Sequence, residues 1–226
     1  MIQNVQVKVD VITLDNQLDD IYASHLLEGK PLPINYNSYI SQMQTIGQLK
    51  VRLNVTRSLT RLKSCFVSLD KALPGLVNAI GRKSWNDFYS PMQAANGEET
   101  FKHDPTGEFE FQVQLGNKLY SEYPIRSHSE AYYQLRKTLG VQSNHLHSFD
   151  IGAQEYRNNK MILAIDFESV IEAGFTGKNT KMGDILNIRF EHNSAINPAD
   201  IADQMHIVLH SDCILQITGS GVEFFD

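Results

Sequence analysis

Two pairs of histidines are the residues of this sequence whose spacing comes nearest to metal chemistry. His145 and His147 form an H-x-H pair, and His206 and His210 stand four residues apart. On a helix, that second spacing would present two imidazoles to one zinc ion. Residues 205–210 are apolar and β-branched, however, which predicts a strand. Four residues along a strand cover about 13 Å, too far for one ion to join the pair. His145 and His147 stand in a polar stretch with no carboxylate and cysteine pattern beside them. No metal site and no cofactor are expected.

Other reaction machinery is scarce. The sequence contains no Gly-x-Ser-x-Gly elbow, no phosphate-binding glycine-lysine loop and no Cys-x-x-Cys pair. Gly174 to Gly183 is glycine-rich and carries Lys178 and Lys181, but it precedes a strand and lacks the order of a phosphate loop. It predicts a turn. Asp15, Asp19 and Asp20 sit near a helix start, where acidic groups complement the helix dipole. The chain is therefore expected not to be an enzyme.

Two clusters suit binding better. Arg57, Arg61, Lys63, Arg82 and Lys83 bias residues 50–83 toward positive charge, a candidate face for nucleic acid or an acidic partner. Tyr120, Tyr123, Tyr132 and Tyr133 gather around Pro124 and Arg126, with Arg136 close by. Tyrosine and arginine are enriched at protein interfaces.

The elements that position these groups are mostly strands. Residues 3–14 alternate Val5, Val7, Val9 and Val11 with mainly polar neighbours, predicting a half-buried strand. Leu18, Ile21, Tyr22, His25 and Leu26 predict a helix over 16–28, closed by Gly29. Residues 34–46 suit an edge strand, and 49–55, 62–69, 109–115, 161–167 and 185–190 are further strands. Ser127 with Glu130 three residues on is a capping box, opening a helix over 128–139 that Gly140 ends. Residues 70–107, with Trp85, and 141–159 are predicted as long loops, and 199–202 as one helical turn. The end of the chain predicts three strands, 205–210, 213–218 and 222–225, separated at Ser211-Asp212 and Gly219-Ser220-Gly221. No β-α-β alternation is visible, so a parallel doubly wound sheet is not expected. Long connections between strands suit a two-sheet jelly roll.

Composition agrees. The 226 residues are 42% hydrophobic and 20% charged, an ordinary globular balance. The net charge of -6 argues against general coating of nucleic acid and leaves a local basic patch open. No apolar run approaches the ~20 residues of a membrane-spanning helix. Met1 to Asn4 carries neither a basic region nor an apolar core for a secretory signal. Cys65 and Cys213 are accordingly expected as buried free thiols.

Four stretches taken in order carry a resemblance: LDDIYASHLLEGKPLPI (18–34), VTRSLTRLKSCFVSL (55–69), KLYSEYPIRSHSEAYYQLRKTLG (118–140) and MHIVLHSDCILQITGSGVEFFD (205–226). Together they resemble the C-terminal half of jelly-roll major capsid proteins of eukaryotic DNA viruses, of the Polinton-like and virophage kind. The resemblance implies an all-β, mainly antiparallel jelly-roll sandwich with two short helices and long inserted loops. Residues 1–226 would form a single jelly-roll domain, or the C-terminal half of a double jelly roll, which needs about twice as many strands. It further implies a capsid subunit that assembles with itself into trimeric capsomers of an icosahedral shell, alongside other capsid proteins. Its place would be the virion, after assembly in the host cytoplasm or nucleus. On this reading Arg126, Tyr132, Tyr133, Arg136 and Trp85 are the candidate subunit-interface residues. The alternative is a carbohydrate- or receptor-binding jelly roll, with Trp85, Phe88 and Tyr89 as its aromatic platform.

Overall fold

Alternation decides which side of a strand is buried, because successive side chains leave opposite faces. In the computed structural model this logic builds two sheets. The structure describes residues 6–13, 15–70, 88–90, 108–141, 149–168, 177–181, 183–193 and 201–226. In chain order its elements are α1 (Asn16–Leu27), β1 (Leu32–Thr45), β2 (Lys50–Val55), β3 (Leu62–Asp70), β4 (Phe109–Leu115) and β5 (Lys118–Ile125). There follow α2 (His128–Thr138), α3 (Ala153–Asn159), β6 (Ile162–Asp166), β7 (Leu186–His192), β8 (Gln204–Thr218) and β9 (Gly221–Phe225).

One sheet has the order β1-β8-β3-β6, with β9 added to β8, and the other has the order β2-β7-β4-β5. In this order β1 neighbours β8, β2 neighbours β7, β3 neighbours β6 and β4 neighbours β5. Such nested pairing is that of one long hairpin folded over into two sheets, the topology of a jelly roll with its eight strands. Two four-stranded paths of this kind make the chain a mainly antiparallel β-sandwich, as the sequence predicts.

The core lies between the inner faces. Phe109, Phe111 and Val113 of β4, Ile188 and Phe190 of β7, and Cys65, Val67 and Leu69 of β3 are all buried. Phe109 stacks on Phe190 at 5.9 Å. A register shift between Leu62 and Ser64 changes the alternation of β3, so that Ser64 and Cys65 are both buried.

The helices follow local rules. Ser127 caps α2 by accepting a hydrogen bond from the Glu130 amide at 3.2 Å, and Glu130 accepts one from the Arg126 amide at 3.2 Å. His128, Ala131 and Leu135 form its buried face, and α2 packs on β6. Gly140 follows in the left-handed region at φ 70.

The chain divides into two compact units, and the division falls within β1 and β8. One comprises Asn37–Cys213 with Asp226, and it contains all the buried core. The other comprises Met1–Tyr36 and Ile214–Phe225, and holds α1, the start of β1 and the hairpin of β8 with β9. In α1 no residue is buried.

Several expectations need correction. Residues 6–13 form no strand, and Val7, Val9 and Val11 are exposed. Alternation chooses a face and does not supply the neighbouring strand that buries it. Ser211 and Asp212 are no turn, since β8 runs through them without a break. Ser211 fills an inward position in the series Met205, Ile207, Leu209, Ser211, Cys213, and its hydroxyl lies 3.8 Å from Cys213 Sγ. The polar stretch before β6 contains a third helix, α3, where Tyr156 is fully buried. Residues 118–125 form a strand that shows no alternation, and Ile201 and Ala202 are not helical.

Candidate functional site

The predicted contact residues occupy three separate places. On the outer face of the second sheet, polar side chains line up across strands. Lys50, Glu191 and Glu110 share one row, Arg52, Arg189 and Gln112 the next, and Asn54, Asn187 and Gln114 a third. Arg126 joins the first row through a 2.9 Å ion pair with Glu110. Lys50 holds Glu191 at 2.6 Å, and Arg189 reaches Glu191 at 3.2 Å and Glu110 at 3.6 Å. These contacts hold Glu191 below the usual carboxylate range, the Lys50 hydrogen bond above all. The two lower rows line an open groove of about 640 Å³.

Tyr132 and Arg136 are half-buried on α2. The Tyr132 hydroxyl donates to the Ile151 carbonyl at 2.8 Å, and its ring packs on Tyr156 and Phe149. The Arg136 guanidinium lies 5.8 Å from the Tyr132 ring centre, a cation–π contact. Tyr133, one residue on, is 52% exposed. Trp85, Arg82 and Lys83 lie outside the described residues, as do His145 and His147.

Of the remaining basic residues, Arg57, Arg61 and Lys63 are described. Lys63 lies between Glu168 at 3.1 Å and Asp212 at 3.5 Å. Burial works against its charge, yet the Glu168 hydrogen bond and the two carboxylates raise its pKa. Arg61 donates through Nε to the Asp212 carbonyl at 3.2 Å. Arg57 is exposed, and its carbonyl accepts from the buried Thr180 hydroxyl at 3.0 Å. Beside Lys63 lies a groove of about 300 Å³, walled by Tyr39, Phe66, Asp166, His210 and the end of α2. Tyr39 stacks on His210 at 4.7 Å, and Ser64 Oγ meets His210 Nδ1 at 3.1 Å. Burial, then Lys63, lowers the His210 pKa, and burial raises that of Asp166. His206 and His210 share a strand, as their surroundings in the sequence predict. Among the described residues no three histidines, cysteines or acids are grouped to hold a metal ion.

One polar row escaped the sequence. Ser90 Oγ lies 2.9 Å from His128 Nε2, and His128 Nδ1 bonds Glu108 Oε2. The same Glu108 oxygen accepts from the His128 amide at 2.7 Å. A serine, a histidine and an acid in line have the order of a nucleophilic triad. Here Ser90 is fully buried. The row ties residues 88–90 to the N-terminus of α2, and the His128 hydrogen bond lowers the Glu108 pKa. No local spacing links positions 90, 108 and 128; only the capping box marks the neighbourhood.

Cys65 and Cys213 are buried free thiols, and burial pushes Cys65 up to about 12. No described helix is long and apolar enough to cross a membrane.

No protein-family model and no curated protein sequence matches this chain. Among solved structures it is similar to PBCV-1 VP54, as fitted into a cryo-EM reconstruction of the virophage Sputnik. That likeness has a TM-score of 0.51 at 11% identity and covers 93% of this chain and 54% of that one. The fold is a jelly-roll sandwich like that of VP54. Looser likenesses are to the PBCV-1 virus capsid, with TM-score 0.47, 10% identity and coverage of 93% and 54%, and to the Sputnik virophage, with 0.41, 10%, 86% and 38%. The chain spans about half the length of VP54, at 54%. Among the described residues, the outer face of the second sheet, Tyr133 and apolar residues outside the core are exposed.

Proposed function

We propose that the chain is a structural subunit of a viral capsid and that its work is assembly. The observation that carries this reading is the nested strand order, together with a likeness to VP54 that covers 93% of the chain. A rigid sandwich with polar outer rows suits a shell component. Its copies join as trimers, the trimers build an icosahedral shell with other capsid proteins, and the product resides in the virion. Arg126 and Tyr133 contribute to the subunit contact.

Light scattering with negative-stain imaging of the purified chain tests this. Trimers with hexagonal outlines, or larger shells, are expected; a monomer at every concentration overturns the reading. Arg126 is more than half exposed in its ion pair, and such surface pairs stabilise folds by only about 0–1 kcal/mol. Arg126→Ala and Tyr133→Ala should therefore weaken assembly while thermal unfolding stays nearly constant. Equal losses of both would remove these two residues from the interface.

A further inference from the structure

The segment 6–13 and the edge of the second sheet are complementary. Residues 6–13 read Gln-Val-Lys-Val-Asp-Val-Ile-Thr and lie in no helix or strand. Val7, Val9, Val11 and Ile12 are 85%, 73%, 88% and 80% exposed. β2 ends the second sheet, so one of its sides has no partner strand among the described residues. It has six residues, no proline and an unbroken register with β7. Open edges of this kind recruit strands from other chains unless they are blunted. A groove of about 430 Å³ follows this strand, between residues 45–48 and Lys50–Leu53.

We propose that residues 6–13 of one copy add to β2 of a second copy as an antiparallel strand. The register follows from matching faces. Val11, Val9 and Val7 lie opposite Val51, Leu53 and Val55, extending the inner apolar face. Asp10 then lies opposite Arg52, and Lys8 opposite Asn54. A parallel strand that also pairs Asp10 with Arg52 would set Lys8 against Lys50, and like charges directly opposite are unfavourable. Arg52 supplies a second reason. On its paired side it faces Arg189, which has Glu191 and Glu110, while Arg52 has no ion pair among the described residues. Asp10 gives it one. Main-chain bonds along the edge provide affinity, and the alternating side chains provide register. The proposal rests on the capsid reading only for the presence of neighbouring copies.

The test uses full-length chains with single cysteines added, since Cys65 and Cys213 are buried. Val9→Cys and Leu53→Cys proteins are mixed under mild oxidation. A mixed disulfide dimer is expected, and the pair Val9→Cys with Asn54→Cys should give at least tenfold less. No mixed dimer overturns the proposal. So does a bond formed only within one chain of the Val9→Cys/Leu53→Cys double variant, which would mean the segment folds back on its own sheet. Asp10→Arg should weaken self-association at least tenfold, and adding Arg52→Asp should restore it; loss without rescue overturns the register. Trimers or shells without the cross-link would refute this contact and leave the capsid reading intact. Cross-linked pairs without larger assemblies would do the reverse.

Discussion

The row of buried Ser90 and His128 with half-buried Glu108 gives the sharpest test of how this fold is held. Glu108→Gln keeps the shape of the side chain and removes its charge. In the native protein one Glu108 oxygen accepts from both the His128 amide, at 2.7 Å, and His128 Nδ1. Hydrogen bonds to a charged group contribute about 1.5–3 kcal/mol, roughly twice a neutral bond. For a chain of this size, each kcal/mol moves Tm by about 2–4 °C, so the variant should melt roughly 3–12 °C lower at pH 7. Ser90 depends on the same ring, so its link to α2 weakens too.

The pH dependence separates this account from simple disruption. The His128 hydrogen bond holds the Glu108 carboxyl below its ordinary value of 4.5. A depressed pKa gives stability that is complete above the unfolded value and lost as pH falls through the folded one. The gap between wild type and Glu108→Gln should therefore be full at pH 6–7 and close below the ordinary carboxylate range. Thermal unfolding by circular dichroism at pH 7, 5 and 3.5 measures it. A gap as wide at pH 3.5 as at pH 7 would refute the charge argument, and no gap at pH 7 would refute the row as a support.

Three further changes probe other joints. Asp166 has the opposite sign: burial raises its pKa, so its stabilising contribution is present below the unfolded value of 3.8 and is lost as pH rises. Asp166→Asn should raise Tm at pH 7 and leave it unchanged at pH 3, by the same melting assay. A Cβ on Gly177 would stand 2.6 Å from the Arg61 carbonyl carbon, where backbone cannot yield. Gly177→Ala should thus cost about 1–3 kcal/mol in chemical denaturation. The Thr180 hydroxyl accepts from the Leu59 amide at 2.7 Å in a buried setting. Thr180→Val leaves that amide unpaired at a cost of about 1–3 kcal/mol, whereas Thr180→Ser should retain most of the stability.

What the sequence announces is burial on one side. Phe109 to Leu115 and Leu186 to His192 alternate cleanly because the core covers one face and solvent the other. β5 gives no such signal. It is an edge strand with Pro124, a register shift and Ser121 at φ 52, and most of its residues are exposed or half-exposed. α3 is too short for a helical period, though it buries Tyr156. The capping box at Ser127 was legible because its partners are three residues apart. The Ser90–His128–Glu108 row was not, because the chain returns to that place from three distant segments. The ion pairs of Lys63 were not legible either, because Glu168 and Asp212 are 105 and 149 positions away in sequence.

The same limit explains the error at residues 6–13. A period-two segment reports that one of its faces suits burial; it does not say against what. Inside the core that neighbour is already in the chain, so alternation and structure agree at β2, β4 and β7. Outside it they part. Of the 21 large hydrophobic residues exposed among the described positions, 13 belong to the unit made of Met1–Tyr36 and Ile214–Phe225, which has no buried residue. A helix of 12 residues with no buried face gains little from its own propensity. Apolar surface concentrated in this way marks a site of protein contact more often than chance exposure. On the pairing proposed above, the alternation of residues 6–13 marks a strand that forms only between copies, with the open edge of β2 as its neighbour.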